Sequence, residues 1–147
     1  MPVIAVNKGA LHDYAILETL EAGIVLSGQE VKSVRGGGVS LKGAYATLTG
    51  GEVWLLNAHI SPYSHAGKLV GYDPTRSRKL LISKKQRDRL AGKLEAAGLT
   101  LVPLKVYTSK SRLKIELGLG RGKQKYEKRD LLKKRSVEKE IRQRLKR

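Results

Sequence analysis

Two stretches of the chain carry apolar residues at a helical period. Within 13–22, Tyr14, Leu17 and Leu20 are set against Glu18 and Glu21, with Asp13 placed to cap and Gly23 to stop, which predicts a helix. The second helix is clearer. Ser83 and Gln86 make a capping box, Leu90, Leu94 and Ala97 form one stripe, and Gly98 ends it. Its outward face carries Lys84, Lys85, Arg87, Arg89 and Lys93.

The remaining apolar positions fall in short runs or alternate, as strands do. Residues 24–26 and 31–34 read as strands on either side of a bend at Gly28, and Gln29 to Arg35 alternate so that Glu30, Lys32 and Val34 share one face while Val31, Ser33 and Arg35 share the other. Residues 44–48 and 52–56 form a hairpin around Thr49, Gly50 and Gly51. A second pair, 101–107 and 113–119, surrounds 108–112, with Leu113, Ile115 and Leu117 alternating against Lys114 and Glu116. Short strands, few helices and many turn glycines predict a mainly β protein with flanking α-helices: a closed antiparallel barrel of OB-fold type whose inward side chains form the core. Barrel topology alone proves no function.

Charge changes the picture more than any other bulk property. The 147 residues hold 30 Lys and Arg against 13 Asp and Glu, a net charge of +17. Self-repulsion of that size calls for a polyanionic partner, and nucleic acid is favoured over a membrane surface because no bulky amphipathic helix is evident. The excess is unevenly spread. From Gly118 to Arg147 there are thirteen basic and four acidic residues, net +9, leaving net +8 for the first 117. The chain therefore divides into an RNA-binding barrel domain, 1–120, and a basic tail, 121–147, expected to be disordered when unbound. Val137, Ile141 and Leu145 recur at four-residue spacing in that tail, an apolar stripe on a cationic helix that would form when an anion removes the repulsion among Lys133, Lys134 and Arg135.

Enzyme chemistry finds little support. There is no Cys, and His12, His59 and His65 lack metal-ligand spacing, so no metal or cofactor is expected. The acidic residues are scattered, and neither Gly36-Gly37-Gly38 nor Gly118-Leu119-Gly120-Arg121-Gly122 ends in the lysine and serine of a phosphate loop. The first is read as a flexible turn and the second as a hinge into the tail. No apolar run approaches the ~20 residues that span a bilayer, and the start lacks the basic region of a secretory signal, so a cytoplasmic location is expected. Trp54, between Val53 and Leu55, is read as core, and the absence of Phe argues against an exposed aromatic single-strand reader.

Three clusters are candidates for RNA contact. Asp73, Arg76, Arg78 and Lys79 lie in one turn, where arginines can fork onto phosphates, or where Asp73 can pair with its own arginines. Glu30, Lys32, Ser33 and Arg35 form the second, with Glu30 either pairing with Lys32 or accepting from base edges or sugar hydroxyls. Asn7 and Lys8 form the third, as phosphate contacts or as local caps.

These segments, taken in order, carry a resemblance. Asn7-Lys8 through His12-Asp13-Tyr14, Gly28 through Arg35, Asn57 through Tyr63, Asp73 through Leu81, Gly122-Lys123 and Glu127-Lys128-Arg129 together resemble the SsrA-binding protein family, also called small protein B, over nearly the whole chain. The resemblance implies an OB-fold barrel that binds the tRNA-like domain of transfer-messenger RNA. It maps RNA contacts to Asn7, Lys8, Glu30, Lys32, Gly122, Lys123 and Lys125, read largely through shape, phosphates and 2′-hydroxyls. It implies that the tail, with Tyr126, Glu127, Lys128, Arg129, Lys133, Arg135 and Val137, enters the decoding centre and vacant message channel of a stalled ribosome and becomes helical on ribosomal RNA. Translation would then switch to a tag-encoding frame, with the protein a monomer in the complex and not an enzyme. The chain departs from the family pattern at Gly9, Leu11 and Gly43, at Glu127 in place of Asp, and at Val137 in place of a frequent Trp. Rival readings are a ribosomal or initiation-factor-like OB protein, and a metal-independent nuclease.

A peptide of residues 121–147 should show little helical circular dichroism in buffer and gain helix when RNA is added. Strong helicity in buffer alone would contradict folding coupled to binding.

Overall fold

A computed structural model describes residues 2–63, 71–96 and 98–122. The longest strand pair organises it. β8 (Thr100–Ser109) and β9 (Arg112–Gly122) form an antiparallel ribbon in which Leu101, Val106, Ile115, Leu117 and Leu119 are buried. On one side β1 (Val3–Val6) pairs with β8; on the other, β2 (Tyr14–Ile24) pairs with β9 along most of its length. Beyond β2 come β7 (Arg78–Leu81), β5 (Glu52–Leu56) and β4 (Tyr45–Thr49), giving the seven-stranded order β1-β8-β9-β2-β7-β5-β4. The sheet curls until β4 lies against β8, but no ladder joins β1 to β4. The expected closed barrel is thus a curled, open sheet. A two-stranded ribbon, β3 (Val39–Ser40) with β6 (His59–Ile60), packs by β3 against β1.

Among the described residues three helices flank the sheet: α1 (Lys8–Asp13), α2 (Gly28–Arg35) and α3 (Lys84–Ala96). The capping box of α3 is present, with the Gln86 N–H donating to Ser83 Oγ at 3.1 Å and the Ser83 N–H to Gln86 Oε1 at 3.3 Å. Leu90 enters the core, and Arg89 and Lys93, read as outward cations, pair instead with Glu18 on β2. Gly98 follows the helix at φ 62°, the left-handed stop.

Two elements differ from the sequence reading. Residues 14–24 are a strand, not a helix: Tyr14, Ile16, Glu18, Leu20 and Ala22 are less exposed than the residues between them, and Leu17, part of the helical stripe, faces solvent. Both periods exist in this segment, and the ladder to β9 decides between them. Residues 31–34 are the reverse case, lying inside α2 with Glu30, Ser33 and Val34 buried at helical spacing. Here the missed signal is a capping box: Ser27 Oγ accepts from the Glu30 N–H at 3.2 Å and Glu30 Oε1 from the Ser27 N–H at 3.0 Å. Gly36 caps the helix end and Gly37 turns at φ 90°, so the triple glycine is a turn as expected.

Bulges in β2, between Ile16 and Glu18, and in β8, between Pro103 and Lys105, change which face each strand presents. Ile16 and Val102, before the bulges, and Leu104, within the second, form a separate cluster with Ala10 and Tyr14; after the bulges Leu20, Ala22 and Val106 join the main core. β9 has no such switch, and it faces the second cluster with glycine. A Cβ on Gly118 would lie 2.9 Å from Leu104 Cδ1, and one on Gly120 would lie 3.1 Å from the Ala15 carbonyl oxygen and from Ile16 Cδ1. The 118–122 segment is therefore paired strand, correcting its reading as a hinge. Trp54 is half-buried on the sheet face opposite Val53 and Leu55, beside Lys79, rather than in the core.

Two hairpins close with two-residue turns at positive φ: Gly50-Gly51 (62° and 78°) between β4 and β5, and Lys110-Ser111 (51° and 64°) between β8 and β9. Replacement of Gly120 by Val should lower stability by about 1–3 kcal/mol, since a neighbouring backbone carbonyl has little room to move. Urea unfolding of Gly120→Val against wild type measures this, and an unchanged midpoint would contradict the packing described.

Candidate nucleic-acid interface

Glu30 and Arg78, both read from sequence as RNA contacts, meet in the interior. Their side chains are 1% and 0% exposed, and Arg78 Nη2 and Nε donate to Glu30 Oε2 at 2.7 and 3.0 Å. Nη1 donates to the carbonyls of Ala58 (2.8 Å) and Arg76 (3.1 Å), and Nη2 also to that of Pro74 (2.9 Å), so all five N–H groups have acceptors. Arg76 closes the other side with its Nη2 on Glu30 Oε1 and its Nε 3.2 Å from Oε2. The Tyr72 hydroxyl lies 3.0 Å from both Glu30 Oε2 and the Ile60 carbonyl and can donate to one at a time.

Burial pushes the Glu30 carboxyl pKa up, but hydrogen bonds from Arg76, the Ser27 N–H and Arg78, with the Arg78 charge, outweigh it and hold the group at about 2. The alternation that placed Glu30 beside Lys32 fails because the segment is helical. The arginines pair with Glu30 on α2 rather than with Asp73, which instead accepts from the Thr75 N–H (3.0 Å) and hydroxyl (3.1 Å) in its own turn. Ser33 is also buried, its hydroxyl donating to the Ser61 carbonyl at 2.6 Å. Glu30, Ser33 and Arg78 thus position the surface rather than form it.

What they position is the exposed face of α2. Lys32 and Arg35, three residues apart, share that face. Lys32 Nζ sits 5.7 Å from the ring centre of Tyr63, and Arg35 Nη2 donates to the Ser111 carbonyl at 2.6 Å. Lys79 pairs with Glu52 across β7 and β5.

A second cationic region lies at the other end of the β8–β9 ribbon. Asn7 is buried as the cap of α1: its Oδ1 accepts from the Ala10 N–H at 3.2 Å and its Nδ2 donates to the Pro103 carbonyl at 2.9 Å. The capping alternative is the one the structure shows. Lys8, next in the chain, is exposed, and α1 runs directly into Tyr14, whose partner on β9 is Gly122. Arg121, opposite Ala15, is exposed at the same end and was missed, because the 118–122 segment read as a hinge. Lys123, Lys125 and the tail positions Tyr126, Glu127, Lys128, Arg129, Lys133, Arg135 and Val137 lie outside the described residues, as does the helical stripe. Among the described residues no group of acidic, His or Cys side chains could hold a metal ion, and no helix is long and apolar enough to cross a membrane.

A curled antiparallel sheet flanked by short helices, with Glu18, Glu30 and Glu52 engaged by internal or neighbouring cations and further cations left outward, defines a small basic β protein suited to polyanions. The family model described as "SmpB protein" matches residues 4–147, and the chain belongs to that family. It is 52% identical over 139 residues to the SsrA-binding protein of Sulfurihydrogenibium sp. (strain YO3AOP1), covering 95% of this chain and 91% of that one. To the SsrA-binding protein of Chloroflexus aggregans it is 50% identical over 145 residues, covering 99% and 92%. A solved chain described as "tmRNA-SmpB: a journey to the center of the bacterial ribosome" superposes with a TM-score of 0.67 at 50% identity, covering 94% of this chain and 96% of its own.

Glu30→Gln should cost about 3–5 kcal/mol, because it leaves Arg78 charged in the interior without its counter-ion. The pH dependence follows in sign. The folded-state value of about 2 is below the ordinary 4.5, so this stabilisation is full above pH 4.5 and is lost as pH falls toward 2. Urea midpoints of wild type and Glu30→Gln between pH 6 and pH 2 should converge; a constant gap would show that Glu30 is not the titrating group.

Proposed function

We propose that this protein binds the tRNA-like domain of transfer-messenger RNA and delivers it to stalled ribosomes for rescue and tagging of incomplete peptides. The observation that carries this reading is near-full-length identity of about half to SsrA-binding proteins, together with the likeness to a chain solved as tmRNA–SmpB. The body, residues 1–120, grips RNA through outward cations such as Lys8, Lys32 and Arg35, on a surface whose geometry suits shape and phosphate recognition. The basic segment from Gly122 through Lys123 and Lys125 extends that grip, and the remaining tail enters the decoding centre and message channel, where ribosomal RNA neutralises it. Peptidyl transfer belongs to the ribosome; the protein contributes binding and placement, acts as a monomer in the complex, and works in the cytoplasm.

Geometry supports the division of labour. Lys8, Arg121 and Gly122 stand at the end of the sheet where the chain leaves β9, so RNA held there adjoins the start of the tail. Truncation after Lys125 should leave affinity for a tRNA-like transcript within about twofold while abolishing peptide tagging in a stalled-ribosome translation assay, because most phosphate contacts of the body persist. Equal loss of both activities would overturn the two-part reading.

A further inference from the structure

We infer that the tip of the β8–β9 hairpin, with Lys110 and Arg112, is a phosphate-binding site on RNA separate from the region where the tail begins. The inference rests on the RNA-binding reading and deepens it.

The first observation is the turn itself. Two hairpins in this fold need positive φ at both turn residues. One uses Gly50-Gly51, for which the conformation is free of steric cost; the other uses Lys110-Ser111, for which it is not. Side chains that stand where glycine or asparagine would suit the backbone better point to a role outside the fold.

The second observation is what surrounds the tip. Lys110, Ser111 and Arg112 are all exposed, and Arg35 from α2 holds the Ser111 carbonyl at 2.6 Å, bringing its guanidinium to the same place. β8 contains no acidic residue, the first on β9 is Glu116, and neither Lys110 nor Arg112 has an ion-pair partner among the described residues. The turn thus carries two exposed cations and is tethered by a third.

The third is position. Arg112 and Gly122 are at opposite ends of β9, which at about 3.3 Å per residue sets the tip about 33 Å from the exit to the tail. The phosphates it meets are therefore not those beside Lys8 and Arg121. They belong either to a distant arm of the carried RNA or to ribosomal RNA, and the chemistry is the same in both.

The test uses full-length protein in two arms: a transcript of the tRNA-like domain, and purified small ribosomal subunits. In the double variant Lys110→Asn with Ser111→Gly, the turn gains its preferred residues, so the fold is protected and thermal stability should rise. Affinity should fall in one arm, with the log–log salt slope shallower by about 0.7–0.9 for the lost contact. Arg112→Gln should act in the same arm. Loss on the transcript assigns the tip to the carried RNA, and loss on the subunits assigns it to ribosomal RNA. Wild-type protein that binds both while neither variant changes affinity or slope in either arm would overturn the inference. Failure of wild type to bind the transcript would instead overturn the underlying functional reading.

Discussion

Arg78 reaches the interior with no exposed surface, and it can do so because Glu30 Oε2 accepts from two of its N–H groups while three backbone carbonyls take its remaining protons. A guanidinium stripped of water is costly unless every donor is answered and the charge is matched. Here both conditions hold, and they hold only in one arrangement. Glu30 comes from α2, Arg78 from β7, and the carbonyls from Ala58, between β5 and β6, and from Pro74 and Arg76, just before β7. The pair therefore does what apolar packing does poorly: it fixes orientation. α2 has little freedom to roll, and Lys32 and Arg35 are presented at a set angle. The helix that bears these cations is held by an anion on its opposite face.

The second constraint is the pair of bulges that lets one ribbon serve two clusters. Without them β2 and β8 would keep one face apolar throughout, and α1 would find no pocket. With them, Val102, Leu104 and Ile16 form a seat for Ala10, and Gly118 and Gly120 clear the space beneath. The open sheet follows from the same economy of strands. β4 curls against β8 by side-chain packing, with no ladder between the sheet's two edges.

Much of this architecture can be read from residue pattern, and the failures are instructive. The β4–β5 and β8–β9 hairpins were legible from alternation, although their turns are two residues long, shorter than the 49–51 and 108–112 read from sequence, and α3 was legible from its capping box and apolar stripe. Residues 14–24 misled because Tyr14, Leu17 and Leu20 satisfy a helix while Tyr14, Ile16, Leu20 and Ala22 satisfy a bulged strand; only the partner strand distinguishes them. α2 misled because Val31 and Val34 look like strand, although Ser27 and Glu30 spell the same cap as Ser83 and Gln86. At the candidate site, sequence could find the charged residues but not their depth. Glu30 is more than forty positions from Arg76 and Arg78 in the chain, and a basic turn that is half interior looks the same as one that is wholly outside. The family resemblance does not supply that depth either: it marks Asn7 and Glu30 as RNA contacts while the structure buries both, since a segment can be characteristic of a family for holding the fold as well as for touching RNA.

The seating of α1 has a metrical consequence. Asn7 is fastened to the backbone of β8, Ala10 to the second cluster, and Tyr14 to the last residue pair of β9. Lys8 is thereby indexed to the point where the chain leaves the sheet, with no hinge between them. An RNA phosphate resting on Lys8 would stand at a constant offset from the first residue of the tail, so the body acts as a gauge block: whatever it carries arrives with the origin of the tail already measured.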